Sequence, residues 1–154
     1  MKRCKFIPIL FFLFLFSGCW YNDYRPGPAI PETLEGINEW LFQNVEYKTD
    51  EVGHWQSTKE TLDFMTGDCE DYVILWMWLV YKQTGIKADL VVVADLRQSS
   101  YNEIVWHALA EHDGLWYDPT GGNIFRDHNS VIWHYYETHS YDDVMAKVTI
   151  AYLF

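Results

Sequence analysis

The spacing of apolar and polar positions divides the chain into recognisable elements. Leu34, Ile37, Trp40 and Leu41 fall on one face of a helix that opens at Pro31-Glu32-Thr33 and runs to about Asn44. Val45 to Gly53 reads as loop or a short strand. Ser57 and Thr58, followed by Glu60 and Thr61, form a start signal for a short helix through Met65, broken by Thr66-Gly67. From Tyr72 to Tyr81 no residue is charged. That run is too long for an ordinary strand and too short to span a bilayer, which needs about 20 residues. It predicts a helix that starts at Asp68, is apolar all round, lies buried at the domain centre and stops at Gly85. The period then changes. Ala88 to Leu96 is β-branched and of strand length, and its three consecutive valines predict burial on both faces. Gln98 to Asn102 is a polar turn. Glu103–His112 and Leu115–Asp118 form a hairpin around Asp113-Gly114, and Pro119 to Gly122 ends its second strand. Val131 to Tyr136 reads as a strand, Tyr141 to Ala146 as a short helix and Lys147 to Phe154 as a last strand. Helices first and antiparallel strands after is an α+β pattern.

Charge and cysteine count change this picture at the N-terminus. Lys2, Arg3 and Lys5 precede an apolar stretch from Phe6 to Phe16 and the small residues Ser17-Gly18, so residues 1–18 read as an export signal outside the fold. Ser17-Gly18-Cys19 resembles a bacterial lipobox, with Phe16 where that pattern prefers Leu, which makes Cys19 the expected lipidation site. Residues 19–31, rich in Pro, Gly and Tyr, read as a tether, and residues 32–154 as the domain. The net charge of −11 over the whole chain becomes more negative by three once the basic signal is removed. Such acidity argues against nucleic acid and against charge-driven membrane binding, so attachment to a membrane is expected through the lipid. Of three cysteines, Cys4 leaves with the signal and Cys19 is lipidated. Cys69 remains as one unpaired thiol in an exported protein, a candidate for reactivity.

The position of Cys69 supports that candidacy. It lies between Asp68 and Glu70 in the first turn of the buried helix, where the helix dipole favours a thiolate. A thiol nucleophile needs a base, and the base needs a group to orient it. A two-residue turn pairs Leu109 with Asp118, which places His107 and Asp118 on one face as diagonal neighbours, with β-carbons roughly 7 Å apart. His112 falls on the opposite face. The carboxylates admit two readings. Asp68 can cap the helix, with Asp71 at the capping-box position and Glu70 complementing the dipole. Alternatively, Asp68, Glu70 and Asp71 can hold calcium. A zinc site ranks last, since His54, His128, His134 and His139 lack ligand spacing and no second thiolate is offered. Trp76 and Trp78 read as core.

With these residues in place the chain resembles the transglutaminase-like branch of the papain-like cysteine hydrolases, and most of all bacterial transglutaminase-like cysteine proteinases. The resemblance rests on Trp55-Gln56, Glu60-Thr61-Leu62, Gly67-Asp68-Cys69-Glu70-Asp71-Tyr72, Trp106-His107-Ala108 and Trp116-Tyr117-Asp118-Pro119, and spans roughly residues 30 to 125. It implies a papain-like core, with N-terminal helices and the buried central helix packed on an antiparallel sheet. It implies Cys69 as nucleophile, His107 as general base and then acid, and Asp118 as orienter of the imidazole. The Cys69 backbone N–H is a natural oxyanion donor, and the resemblance adds Trp55 or Gln56 as the second. The implied activity is a thiol hydrolase, peptidase or amidase, on protein or peptide substrates, working as a monomer at the bacterial cell envelope. No cofactor is required, although a subset of the resembled proteinases depends on calcium. Acyl transfer to an amine is the alternative chemistry on this fold, and a non-enzymatic binding or assembly domain the alternative role.

Overall fold

The computed structural model describes residues 29–49, 54–100, 103–126 and 133–150. The expected signal, Cys19, most of the tether and His128 lie outside the described residues. Helix α1 (Leu34–Asn44) starts where Thr33 accepts the Gly36 N–H on its side chain, and it buries Ile37, Trp40 and Leu41 as their spacing requires. The chain continues as strand β1 (Glu46–Tyr47), helix α2 (Thr58–Phe64), strand β2 (Thr66–Gly67) and helix α3 (Cys69–Thr84). A capping box between Ser57 and Glu60 opens α2, and Met65 closes it at φ 51°. Strands β1 and β2 pair in parallel, with the Lys48 N–H donating to the Gly67 carbonyl at 2.8 Å. This ladder fixes the backbone from which α3 departs.

Helix α3 is the centre of the molecule. Tyr72 to Met77, Leu79 and Val80 are buried; Tyr81 is exposed. Gly85 terminates it at φ 76°, a conformation that costs glycine nothing. The Tyr72 hydroxyl donates to the Val45 carbonyl, and the Trp76 indole N–H donates to the Leu34 carbonyl at 3.3 Å, tying α3 to both ends of α1.

Strands β3 (Asp89–Asp95), β4 (Trp106–His112), β5 (Leu115–Asp118), β6 (Asn123–Phe125) and β7 (Trp133–His139) form an antiparallel sheet in the order β6-β5-β4-β3-β7. The three valines divide as a buried strand should. Val91 and Val93 join Leu109, Trp116 and Trp133 in one cluster, while Val92 joins Leu90, Ala108, Ala110 and Tyr117 on the face that meets α3. Ala108 and Ala110 are fully buried there, and their small size lets the helix approach β4 closely. Helix α4 (Tyr141–Ile150) packs Val144 and Val148 against the same core.

The structure is α+β, as the order of elements predicts. Two expectations need correcting. Lys147 to Ile150 continue helix α4 instead of opening a strand, because Val144 and Val148 are buried at helical spacing; residues 151–154 lie outside the described residues. Strand β4 begins at Trp106 and not at Glu103, which makes only an isolated bridge with Ser100. Strand β6 is an addition. Its three residues, Asn123, Ile124 and Phe125, carry no readable period.

Candidate active site

Two arms meet at one end of the central helix. The first is a strand pair. Asp113 (φ 50°) and Gly114 (φ 72°) both adopt positive φ, the requirement of a tight hairpin turn, and the observed register pairs Ala110 with Tyr117, Glu111 with Trp116 and His112 with Leu115. His107 and Asp118 then meet diagonally, with the imidazole Nε2 3.1 Å from the Asp118 Oδ1. An ionised carboxylate only accepts, so this contact selects the tautomer with hydrogen on Nε2 and leaves Nδ1 basic. Asp118 is 5% exposed. Burial by itself would raise its pKa; the hydrogen bond and charge of His107, the Thr120 hydroxyl at 2.6 Å and the Gly121 N–H at 3.2 Å outweigh it and hold the carboxyl below its ordinary range.

The face of the imidazole is held as firmly as its edge. Trp133 stacks on His107 with ring centres 5.2 Å apart and planes 14° from parallel. The Arg97 guanidinium lies 4.5 Å from the Trp133 ring and forks onto buried Asp95 through two 2.9 Å contacts. Arg97 draws the Asp95 pKa down to about 2. Trp133, Thr120 and the Asp95–Arg97 fork carry no motif in the sequence. Trp133 reaches His107 across the sheet from β7, with β3 between them, a neighbourhood that only tertiary structure creates.

The second arm is the start of α3. Gly67 has no room for a side chain, since a Cβ there would lie 2.6 Å from the Asp71 Cβ. Asp68 is the N-cap and forms a capping box with Asp71. Cys69 follows, 8% exposed, and its thiol donates to the Glu70 carboxylate at 2.8 Å. Burial pushes the thiol pKa far up, the charge and hydrogen bond of Glu70 add to the rise, and the Ala108 backbone N–H opposes it. The helix dipole alone predicts a thiolate; burial and the neighbouring carboxylate reverse that expectation here.

Cys69 and His107 line one small cavity of about 70 Å³, together with Glu70, Val92, Trp106 and Ala108. The thiol hydrogen bond goes to Glu70 and not to the imidazole. Of the expected oxyanion residues, Gln56 donates its backbone N–H to the Asp71 Oδ1 at 2.7 Å, so that N–H is already committed. The Trp55 ring packs edge-on to His139, 5.5 Å away, and lies beneath the Lys147 ammonium.

Asp68, Cys69 and Glu70 each offer a ligand atom, all within 4.8 Å of one another. Calcium takes about six to eight oxygens. The two carboxylates fit part of such a shell, with backbone carbonyls and water left to complete it, while the soft sulfur does not suit a hard cation. Asp71, also expected as a calcium ligand, stands outside this group. Its oxygens accept the backbone N–H groups of Gln56 and Asp68.

No family model matches the chain, and no curated protein matches it. Solved structures do match, two forms of one protein among them. Legionella pneumophila LapG in a calcium-bound form superposes with a TM-score of 0.55 at 19% identity, over 69% of this chain and 62% of that one. LapG in an EGTA-treated form gives a TM-score of 0.55 at 18% identity, over 75% of this chain and 77% of that one. The chain thus spans less than two thirds of the calcium-bound LapG chain. The fold is transglutaminase-like, with the helix-on-antiparallel-sheet core of papain-like proteins.

Proposed function

We propose that this chain is a thiol hydrolase that cleaves peptide or amide bonds, with Cys69 as nucleophile, His107 as base and acid, and Asp118 as its orienter. The observation that carries the reading is the cavity shared by Cys69 and His107, with the imidazole fastened through Nε2 to Asp118. In the reaction the His107 Nδ1 takes the thiol proton and the sulfur adds to the substrate carbonyl carbon. The Cys69 backbone N–H, at the free end of α3, stabilises the oxyanion, with a second donor from the Trp55–Gln56 segment. Collapse expels the amine, which takes the proton from His107 and leaves a thioester on Cys69. Water, deprotonated by the same imidazole, then releases the acid and restores the thiol.

The thiol must first part from Glu70. A calcium ion held by Asp68 and Glu70 would supply positive charge beside the sulfur, countering the carboxylate that keeps its proton in place. The calcium-bound and EGTA-treated forms of LapG support testing that ion first. The N-terminal signal and Cys19 support an anchored lipoprotein at the bacterial envelope, acting there on protein or peptide substrates.

The test compares envelope proteins from cells carrying this chain with those from cells carrying Cys69→Ala, reading the peptide N-termini released. New N-termini that vanish in Cys69→Ala support hydrolysis. Amine incorporation at glutamine without new N-termini would replace it with acyl transfer, and identical profiles would leave a binding domain.

A further inference from the structure

Asp71 is the most deeply buried carboxylate beside the site, at 0% exposure, and the reaction above gives it no task. It lies one turn along from the cap, where a helix needs only one of its oxygens. That oxygen, Oδ2, accepts the Asp68 N–H at 3.1 Å. The other, Oδ1, reaches out of the helix and accepts the Gln56 N–H at 2.7 Å, from the segment that leads into α2. The approach is enforced from a third side, since Gly67 leaves no space between its Cα and the Asp71 side chain. One rigid carboxylate therefore sets the distance between the Trp55–Gln56 segment and the turn that carries Cys69. A helix cap alone needs no such reach.

We propose that Asp71 is a positioning residue: it holds the Trp55–Gln56 segment in register with the Cys69 backbone N–H, so that the donors of both can act on one developing oxyanion. This rests on the thiol-hydrolase reading and adds to it how the two halves of the oxyanion site are kept at a fixed spacing. Because the Gln56 backbone N–H is spent on Asp71, the donor that this segment offers is the Gln56 side-chain amide or the Trp55 N–H. Donor placement matters steeply in such sites, and a misplacement of about 1 Å can cost roughly a hundredfold.

Two reactions of the same sulfur separate positioning from general support. With p-nitrophenyl acetate the sulfur adds to the ester carbonyl, p-nitrophenolate leaves and an acetyl thioester forms, through an oxyanion. With iodoacetamide the sulfur displaces iodide at a saturated carbon, and no oxyanion arises. The readout is the ratio of the two rate constants, measured on the full domain and assigned to Cys69 by the Cys69→Ala control. Asp71→Asn should lower this ratio about tenfold or more while iodoacetamide alkylation stays within about twofold. Gly67→Ala keeps the carboxylate but displaces it, and should lower the ratio in the same direction if Asp71→Asn proves too unstable to purify. In a Gln56→Ala or Trp55→Pro background, whichever itself lowers the ratio, the effect of Asp71→Asn should shrink. Equal losses in both reactions, or full additivity with both segment variants, would reduce Asp71 to a structural cap and leave the thiol hydrolase standing. A parent domain whose Cys69 acylates no faster than free cysteine would overturn both.

Discussion

The strand arm and the helix arm of the site are built to opposite specifications. On the strands, His107 is fixed on its edge by Asp118 and on its face by Trp133, while Thr120 and Gly121 hold Asp118 in turn. Nothing in that arm has to move for the imidazole to take the base role proposed for it. On the helix, Cys69 is buried and its hydrogen is engaged by Glu70, so the thiol rests protonated. On the proposed reading the base is prepared and the nucleophile is restrained. The proposed activity would then be governed by what releases the sulfur, with the His107 half left permanently assembled.

The largest test of this contrast falls on the prepared arm. Asp118→Asn keeps the shape but no longer demands hydrogen on Nε2, so turnover of any cleavable peptide should fall about 10²- to 10⁴-fold. Thermal unfolding should show the domain still folded, and a loss under tenfold would mean that Trp133 alone suffices to orient the ring.

Glu70→Gln breaks the restrained arm in the other direction. Removing the charge lowers the thiol pKa toward that of a buried but unopposed cysteine, and each unit is worth about a tenfold change in thiolate below the pKa. In the presence of EGTA, iodoacetamide alkylation of the parent should keep climbing as pH rises past the ordinary thiol range. In Glu70→Gln it should be about tenfold faster at pH 7, with its inflection at lower pH. An unchanged profile would assign the restraint to burial alone. Calcium added to the parent should move the profile the same way as Glu70→Gln, and should have no further effect on that variant.

Trp133→Leu gives the smallest effect. A stacked aromatic pair is worth about 0.5–1.5 kcal/mol, so loss of the stack should slow turnover roughly three- to tenfold at substrate saturation. A change confined to KM would place Trp133 in substrate binding instead.

The two arms also differed in how far the residues announced them. The hairpin register was readable because Asp113-Gly114 permits one turn geometry, and that turn fixes which side chains share a face. The helix start was readable from three acids and a cysteine ahead of an uncharged run. The restraint on Cys69 was not, since it depends on where the Glu70 side chain turns and on how deeply the thiol is covered. Trp133 was hidden for a different reason. It comes from the far edge of the sheet, and nothing local to it mentions His107. At the C-terminus, Lys147 to Phe154 read as a strand, and only the burial of Val144 and Val148, four residues apart, shows why tertiary packing chose a helix through Ile150.

The tight turn at Asp113-Gly114 has a consequence for how the protein comes into being. His107 and Asp118 are eleven residues apart, a contact that a hairpin can close within about 1–10 μs, with little chain entropy to overcome. The sulfur joins them only when α3 docks on the sheet, a step that waits for contacts distant in sequence. A chain whose central helix has not yet docked can thus carry His107 beside Asp118 and hold no sulfur next to them. On the proposed thiol-hydrolase reading, reactivity then arises only once α3 has docked on the sheet.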